Sequence, residues 1–263
     1  MGILNMTPDS FFDGGKYLDI DRAIQKAHQM VSEGAGIIDI GGESTQPGSE
    51  SVSIDLEIQR TIPIIKILSQ ELSVPISIDT SKPEVMEAAI EAGASFINDI
   101  NALRTKGALE VASDLKVPIC LMHMQGTPKT MQINPHYHNV VEEVKNFFID
   151  RINICTQYGI SHEYLILDPG FGFGKNVTHN LLLLKYLNSI CSIGFPVLVG
   201  ISRKSFIGAL LDDPIENRLY GSVSLAALAI WEGAKIIRTH DVRVTRQILT
   251  LYDRVMKANN QRE

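Results

Sequence analysis

Cysteine is scarce: three residues in 263, Cys120, Cys155 and Cys191, widely spaced and set in or near apolar segments. An odd number without ligand spacing excludes a disulfide framework and a zinc module, which leaves core thiols. Apolar runs stop far short of the roughly eighteen residues that cross a bilayer, and the N-terminus turns polar at Asn5 instead of continuing as a signal sequence. A cytoplasmic protein with no membrane partner is expected. No Lys/Arg-rich block is present, and 24 basic against 30 acidic residues give a formal charge of −6. This balance argues against nucleic acid as a partner. No Pro/Ser-rich linker or low-complexity tract divides the chain, so one domain over residues 1–263 is expected.

What the chain does have is an alternation of short apolar runs with longer amphipathic segments, the pattern of parallel strands joined by crossover helices. The expected strands are Gly2–Asn5, Gly36–Ile40, Pro75–Asp79, Ser95–Asn98, Val117–Met122, Tyr164–Asp168, Pro196–Gly200 and Lys235–Arg238. Gly34, Gly93, Gly159, Gly194 and Gly233 each stand shortly before a strand, where a helix ending in a left-handed cap calls for glycine. Eight strand-helix pairs in 263 residues match the roughly 250 of a single (β/α)8 TIM barrel. The expected fold is therefore α/β, one barrel, with long loops after strands one and two (Met6–Leu18 and Gly41–Ser53) as candidate lids.

Barrel enzymes carry their chemistry at the C-terminal strand ends. Here those ends hold Asn5, Gly41 to Thr45, Asp79-Thr80-Ser81, Asn98-Asp99, His123, Asp168, Ser202-Arg203-Lys204 and Arg238 to Asp241. The most informative stretch is Asp168-Pro169-Gly170-Phe171-Gly172-Phe173-Gly174-Lys175, directly after an apolar run. A carboxylate at the last residue of a buried strand is expected to be displayed rather than buried, and alternate glycines let the backbone approach something flat. The bland alternative is a Gly-rich connection whose Asp caps the next helix.

Asp79, Asn98, Asp168 and Lys204 come from different strands and are expected to face one cavity. A carboxylate accepts two coplanar N–H donors, so Asp168 suits the amidine-like edge of a flat heterocycle, with Asn98 and Lys204 reading adjoining ring positions. An Asp–Lys pair that only neutralises the mouth is the competing account. Arg238 and His240 alternate along strand eight and point the same way, which suits an anion; an ordinary surface strand end is the alternative. Asn5 offers one neutral oxygen, enough for Mg2+ if the substrate brings a diphosphate. His136-Tyr137-His138 has ligand-like spacing but precedes a helix, where solvent-facing imidazoles are expected rather than zinc.

Taken together these strings resemble dihydropteroate synthase. Gly2-Ile3-Leu4-Asn5-Met6-Thr7-Pro8-Asp9-Ser10-Phe11 is similar to that family's first signature, and Gly42-Glu43-Ser44-Thr45-Gln46-Pro47-Gly48 to its second. Asp79 to Pro83, Ile97 to Asp99, Leu121 to Met124, the Asp168 glycine run, Ser202 to Lys204 and Arg238 to Asp241 also match, in the family's order over essentially the whole chain. The resemblance implies a folate-pathway transferase that joins 6-hydroxymethyl-7,8-dihydropterin diphosphate to 4-aminobenzoate and releases pyrophosphate. Mg2+ as cofactor, sulfonamides as competitors and a homodimer come with it.

By position, the resemblance implies a pterin pocket of Asp79, Asn98, Asp168 and Lys204, and a diphosphate site of Asn5, Thr45, Arg238 and His240 with Asn5 on the metal. It implies an aminobenzoate slot of Phe11, Thr45, Pro47, Phe173, Ser202 and Lys204. Asp79, Lys204, Arg238 and His240 are the expected catalytic residues. Diphosphate is expected to leave first, giving a pterin cation that the aromatic amine attacks without a general base. Three departures stand out. Gln46 replaces the family's usual Arg, Phe12 replaces a small polar residue, and the family's additional N-terminal segment is not in the sequence. The last fits either a true start at residue 1 or a barrel from a longer folate-pathway polypeptide. Two other readings are a pterin-dependent methyltransferase, which holds no diphosphate, and a non-catalytic pterin-binding relative.

Overall fold

Short apolar runs become strands in this chain because both of their faces are covered, one by helices and the other by strands across the interior. In the computed structural model, which describes residues 1–7 and 16–258, the strands are β1 (Gly2–Asn5), β2 (Ile38–Gly41), β3 (Ile76–Asp79), β4 (Phe96–Asp99), β5 (Ile119–Met122), β6 (Leu165–Asp168), β7 (Leu198–Val199) and β8 (Ile236–Ile237). Between and after them run α1 (Lys16–Ser32), α2 (Ile54–Glu71), α3 (Pro83–Glu91), α4 (Ala108–Leu115), α5 (Val140–Gln157), α6 (Val177–Lys185), α7 (Leu187–Cys191), α8 (Ser205–Leu211), α9 (Leu219–Trp231) and α10 (Val242–Lys257).

All pairing is parallel: β1 to β6 join in order, and β7 joins β8. The two remaining seams are closed by bridges between Leu167 and Val197 and between Gly2 and Thr239. Ile3 N donates to Thr239 O at 3.0 Å and Leu167 N to Pro196 O at 2.9 Å, so the sheet meets itself. Alternate strand residues then divide between two cores. Ile38, Ile40, Ile78, Ile97, Ile119, Leu121 and Leu167 pack outward against the helices, while Phe96, Cys120, Ile166 and Leu198 fill the interior.

The register also fixes which inward residues share a level. Asp39 pairs with Ser77 and Ser77 with Phe96, two residues before Asn98. Asn98 pairs with Cys120 and Cys120 with Ile166, two residues before Asp168. The bridge at Leu167 and the pairing of Leu198 with Ile236 carry the same step to Arg238, and the bridge at Gly2 returns it to Asp39. In a barrel of this kind, alternate strands contribute the four side chains of one layer. The top even-strand layer here is Asp39, Asn98, Asp168 and Arg238, a polar floor under the mouth.

Several boundaries differ from those expected. β2 runs through Gly41, so the second loop begins at Gly42, and β4 includes Asp99. His162–Tyr164 forms a 3-10 turn, which delays β6 to Leu165. β7 and β8 shrink to two residues each, because their flanking residues bond singly across the seams instead of extending a ladder. The five pre-strand glycines all take positive φ, from +83° to +112°. Phe11 and Phe12, in the first loop, lie outside the described residues. The three cysteines are free, Cys120 and Cys155 being buried. Among the described residues no helix is long and apolar enough to cross a membrane.

Candidate active site

At the C-terminal strand ends opens a cleft of about 590 Å³. Asn5, Thr45, Pro47, Asp79, Phe173, Ser202, Lys204, Arg238 and His240 line it. Beneath it lies a compartment of about 20 Å³ that adds Asn98 and Asp168 and shares Thr45, Asp79, Phe173, Lys204 and Arg238. That volume is too small for a bicyclic ring, because Lys204 stands over the Phe173 ring, Nζ 4.1 Å from its centroid, and Arg238 lies across the floor. A larger, shallower groove of about 820 Å³ runs between α1 and α10, but no strand end contributes to it.

Arg238 is the hub of the floor. Its Nε donates to Asp39 Oδ2 and its Nη2 to Asp79 Oδ2, each at 2.6 Å. Asn98 Nδ2 donates to the same Asp39 oxygen at 3.1 Å. Burial opposes the guanidinium charge, but the two carboxylates more than offset it and hold Arg238 ionised. Burial pushes Asp79 up to about 7, against the pull of Arg238 and with help from Asp39. Burial likewise lowers Lys204 to about 8, with Arg238 adding repulsion and Asp168 opposing it. No ion pair joins Asp168 to Lys204 among the described residues, so a simple Asp–Lys neutralisation of the mouth is not what the structure shows.

Asp168 is buried rather than displayed, at 5 % exposure. The expectation failed because the glycine turn folds back over the strand end. Gly170 N donates to Asp168 Oδ1 at 2.7 Å, and burial raises the carboxyl's pKa against that bond. Gly170 has φ +68°, and a Cβ there would lie 2.0 Å from His123 O, so only glycine fits. Lys175, 2 % exposed, staples the turn from below. Its Nζ reaches His123 Nδ1 at 2.9 Å, Phe173 O at 2.9 Å and Gly170 O at 3.0 Å. His123 is therefore committed to this staple, and burial followed by Lys175 keeps its ring neutral.

On the opposite wall Ser202 Oγ and His240 Nδ1 lie 3.0 Å apart, and His240 N donates to the same hydroxyl at 3.2 Å. Desolvation, then Arg238 and Arg203, lower the proton affinity of His240. Arg203 between Ser202 and Lys204 has φ +59°, an uncommon conformation for a long side chain. A two-pronged pair with Asp241, at 3.0 and 2.7 Å, holds it there. The second loop is anchored at its start and at its middle. Lys82 bonds both Glu43 and buried Glu57, Arg60 Nη1 donates to Gly42 O at 2.8 Å, and Gly48 N donates to Pro128 O at 3.1 Å.

The sequence and fold that carry this cleft have counterparts among known proteins. The model of the pterin binding enzyme family matches residues 1–240. Dihydropteroate synthase of Haemophilus influenzae is 49% identical over 258 residues, 98% of this chain and 94% of that protein; the Escherichia coli K12 enzyme is 50% identical, covering 98% and 92%. The chain belongs to the dihydropteroate synthase family of pterin-binding enzymes. Solved members superpose closely. The Yersinia pestis enzyme in a sulfonamide drug complex gives a TM-score of 0.94 at 47% identity, over 98% of this chain and 94% of that one. The Xanthomonas albilineans enzyme with 4-aminobenzoic acid gives 0.93 at 45%, over 98% and 93%.

Within this family fold, the structure gathers all the sequence-predicted site residues that it describes onto the two connected compartments. His136 and His138 are exposed at the entry to α5, and no group of three or more His, Cys, Asp or Glu able to hold a metal occurs among the described residues. Sequence reasoning missed Asp39, Lys175 and the Glu43–Lys82–Glu57 cluster. Asp39 left a signal: a lone carboxylate inside Ile37-Ile38-Asp39-Ile40, where burial demands a partner.

Proposed function

We propose that the chain, as one barrel over residues 1–263, condenses 6-hydroxymethyl-7,8-dihydropterin diphosphate with 4-aminobenzoate to 7,8-dihydropteroate. The observation that carries this reading is the meeting of a carboxylate-and-amide floor with Arg238 and His240 in one cavity. The pterin edge binds Asp168 and Asn98, with Asp79 and Lys204 flanking the ring. The diphosphate lies against Arg238, His240, Thr45 and Asn5, where positive charge favours the departing group more than the bound ester. Asp79 beside the ring favours the electron-poor pterin left behind. Phe173, Pro47, Thr45, Ser202 and Lys204 form the aminobenzoate slot, and the resemblance adds Phe11, which lies outside the described residues. An aromatic amine meeting a cation needs no general base, and the long first and second loops act as lids against water.

Asn5 suits magnesium. Its side chain makes no hydrogen bond among the described residues, and a Cβ on Gly41 would lie 3.6 Å from Asn5 Oδ1 and 3.7 Å from Asp79 Oδ2, so oxygens gather over a bare glycine. Magnesium takes few protein oxygens when substrate phosphates complete its shell. Bound there, Mg2+ would neutralise charge on the leaving diphosphate. Asp79, Lys204, Arg238 and His240 are the catalytic residues in this reading.

The protein acts as a cytoplasmic homodimer. Leu211, Tyr220, Leu228, Trp231, Leu251 and Val255 expose apolar surface along α8 to α10, and sedimentation of the purified chain as a monomer would remove that assignment. The activity is tested by pyrophosphate release with dihydropterin diphosphate and Mg2+. Release that depends on 4-aminobenzoate and yields dihydropteroate is expected. Pterin binding without release would point to a non-catalytic relative.

A further inference from the structure

Asp39 is the member of the polar floor to which the reading above gives no task. We infer that Asp39 is a positioning residue that ties the anion-binding Arg238 to the pterin-reading Asn98, holding the two halves of the substrate in register. The inference rests on the site assignments just proposed. Asp39 is fully buried, so it acts through its neighbours and not on a ligand. One oxygen, Oδ2, accepts from Arg238 Nε at 2.6 Å and from Asn98 Nδ2 at 3.1 Å. Two donors from β8 and β4 that share a single acceptor cannot move independently. With Nε on Asp39 and Nη2 on Asp79, Arg238 keeps Nη1 without a partner among the described residues, free for a phosphate oxygen.

The other oxygen, Oδ1, is buried with no hydrogen-bond partner among the described residues, as is Ser77 Oγ at the paired position of β3. A buried carboxylate with an idle oxygen is a costly way to fill a barrel wall, and an apolar residue would pack there at less expense. Its two donors explain its presence.

The test is a double-mutant cycle on turnover with D39N, R238M and the pair, each variant checked for a native circular dichroism spectrum. D39N keeps the shape and removes the charge. It is expected to lower kcat about tenfold or more, as befits a lost charge-assisted bond. In the R238M background the same change is expected to cost less than about twofold, since the group it acts through is gone. Losses that multiply, or a D39N enzyme with unchanged kcat, overturn the inference while leaving the site reading intact. R238M with normal turnover overturns both. Folding of D39N is not essential to the outcome. In the wild-type protein the Arg238 Nε–H, identified in 15N spectra by its loss in R238M, is expected to exchange slowly with solvent, and exchange at the rate of a surface arginine overturns the inference by itself.

Discussion

Arg238 and Asp79 stand 159 positions apart in the sequence, yet Nη2 and Oδ2 meet at 2.6 Å. Even with that cation in contact, burial keeps Asp79 near a pKa of about 7, far above the 3.8 of a free side chain.

That inversion makes stability depend on pH in a defined direction. The folded state holds the Asp79 proton between pH 3.8 and about 7, where the unfolded chain has lost it. Its contribution to stability is therefore full below that window and is lost as the pH rises through 7. D79N, which stays neutral, is expected to melt several degrees above the wild type at about pH 8, the gap closing towards about pH 4. Melting curves across this range check it, and a gap of equal size at both ends would contradict the assignment.

Asp168 carries the second prediction. D168N keeps the shape and the approach of Gly170 N but loses the charge that faces the floor. Pterin affinity measured by calorimetry is expected to fall at least about tenfold, with the fold retained. Binding at wild-type strength would mean that the ring edge is read elsewhere.

Lys175 carries the third. K175M fills similar space but strands the acceptors His123 Nδ1 and Phe173 O in a buried setting, while Gly170 O keeps its bond from Phe173 N. Urea denaturation is expected to show a loss of roughly 3 kcal/mol, from two buried acceptors left unsatisfied at about 1–3 kcal/mol each. An unchanged midpoint would show that the turn holds without its staple.

Gln46 is exposed at the rim of the cleft, where the family resemblance expects a cation. Q46R is expected to lower the KM for aminobenzoate or for the pterin diphosphate up to about fivefold, the worth of an exposed ion pair. Both constants unchanged would show that the second loop, already tethered to Pro128 and Lys82, closes without that charge.

Much of this architecture was legible because barrel strands and their ends repeat one pattern. Apolar runs ending in Asn5, Asp79, Asn98, Asp168 and Arg238 announced both the strand count and the mouth, and the pre-strand glycines marked where helices stop. The burial of Asp168 was not legible, since it depends on the path of a turn in which Gly170 returns to His123, far earlier in the chain. Asp39 was passed over for a related reason. Its role depends on strand register, which a local pattern of apolar and polar residues does not contain. The left-handed Arg203 is likewise set by a partner, Asp241, on another strand end.

The central claim is that Arg238 serves the departing diphosphate from a floor on which Asn98 and Asp168 hold the pterin. The most direct measurement compares R238M with the wild type in two assays, calorimetric binding of a pterin that lacks the diphosphate and aminobenzoate-dependent release of pyrophosphate. Pterin affinity little changed, with turnover reduced about 100-fold or more, is the expected result. Turnover preserved, or pterin affinity lost in step with it, would contradict the account.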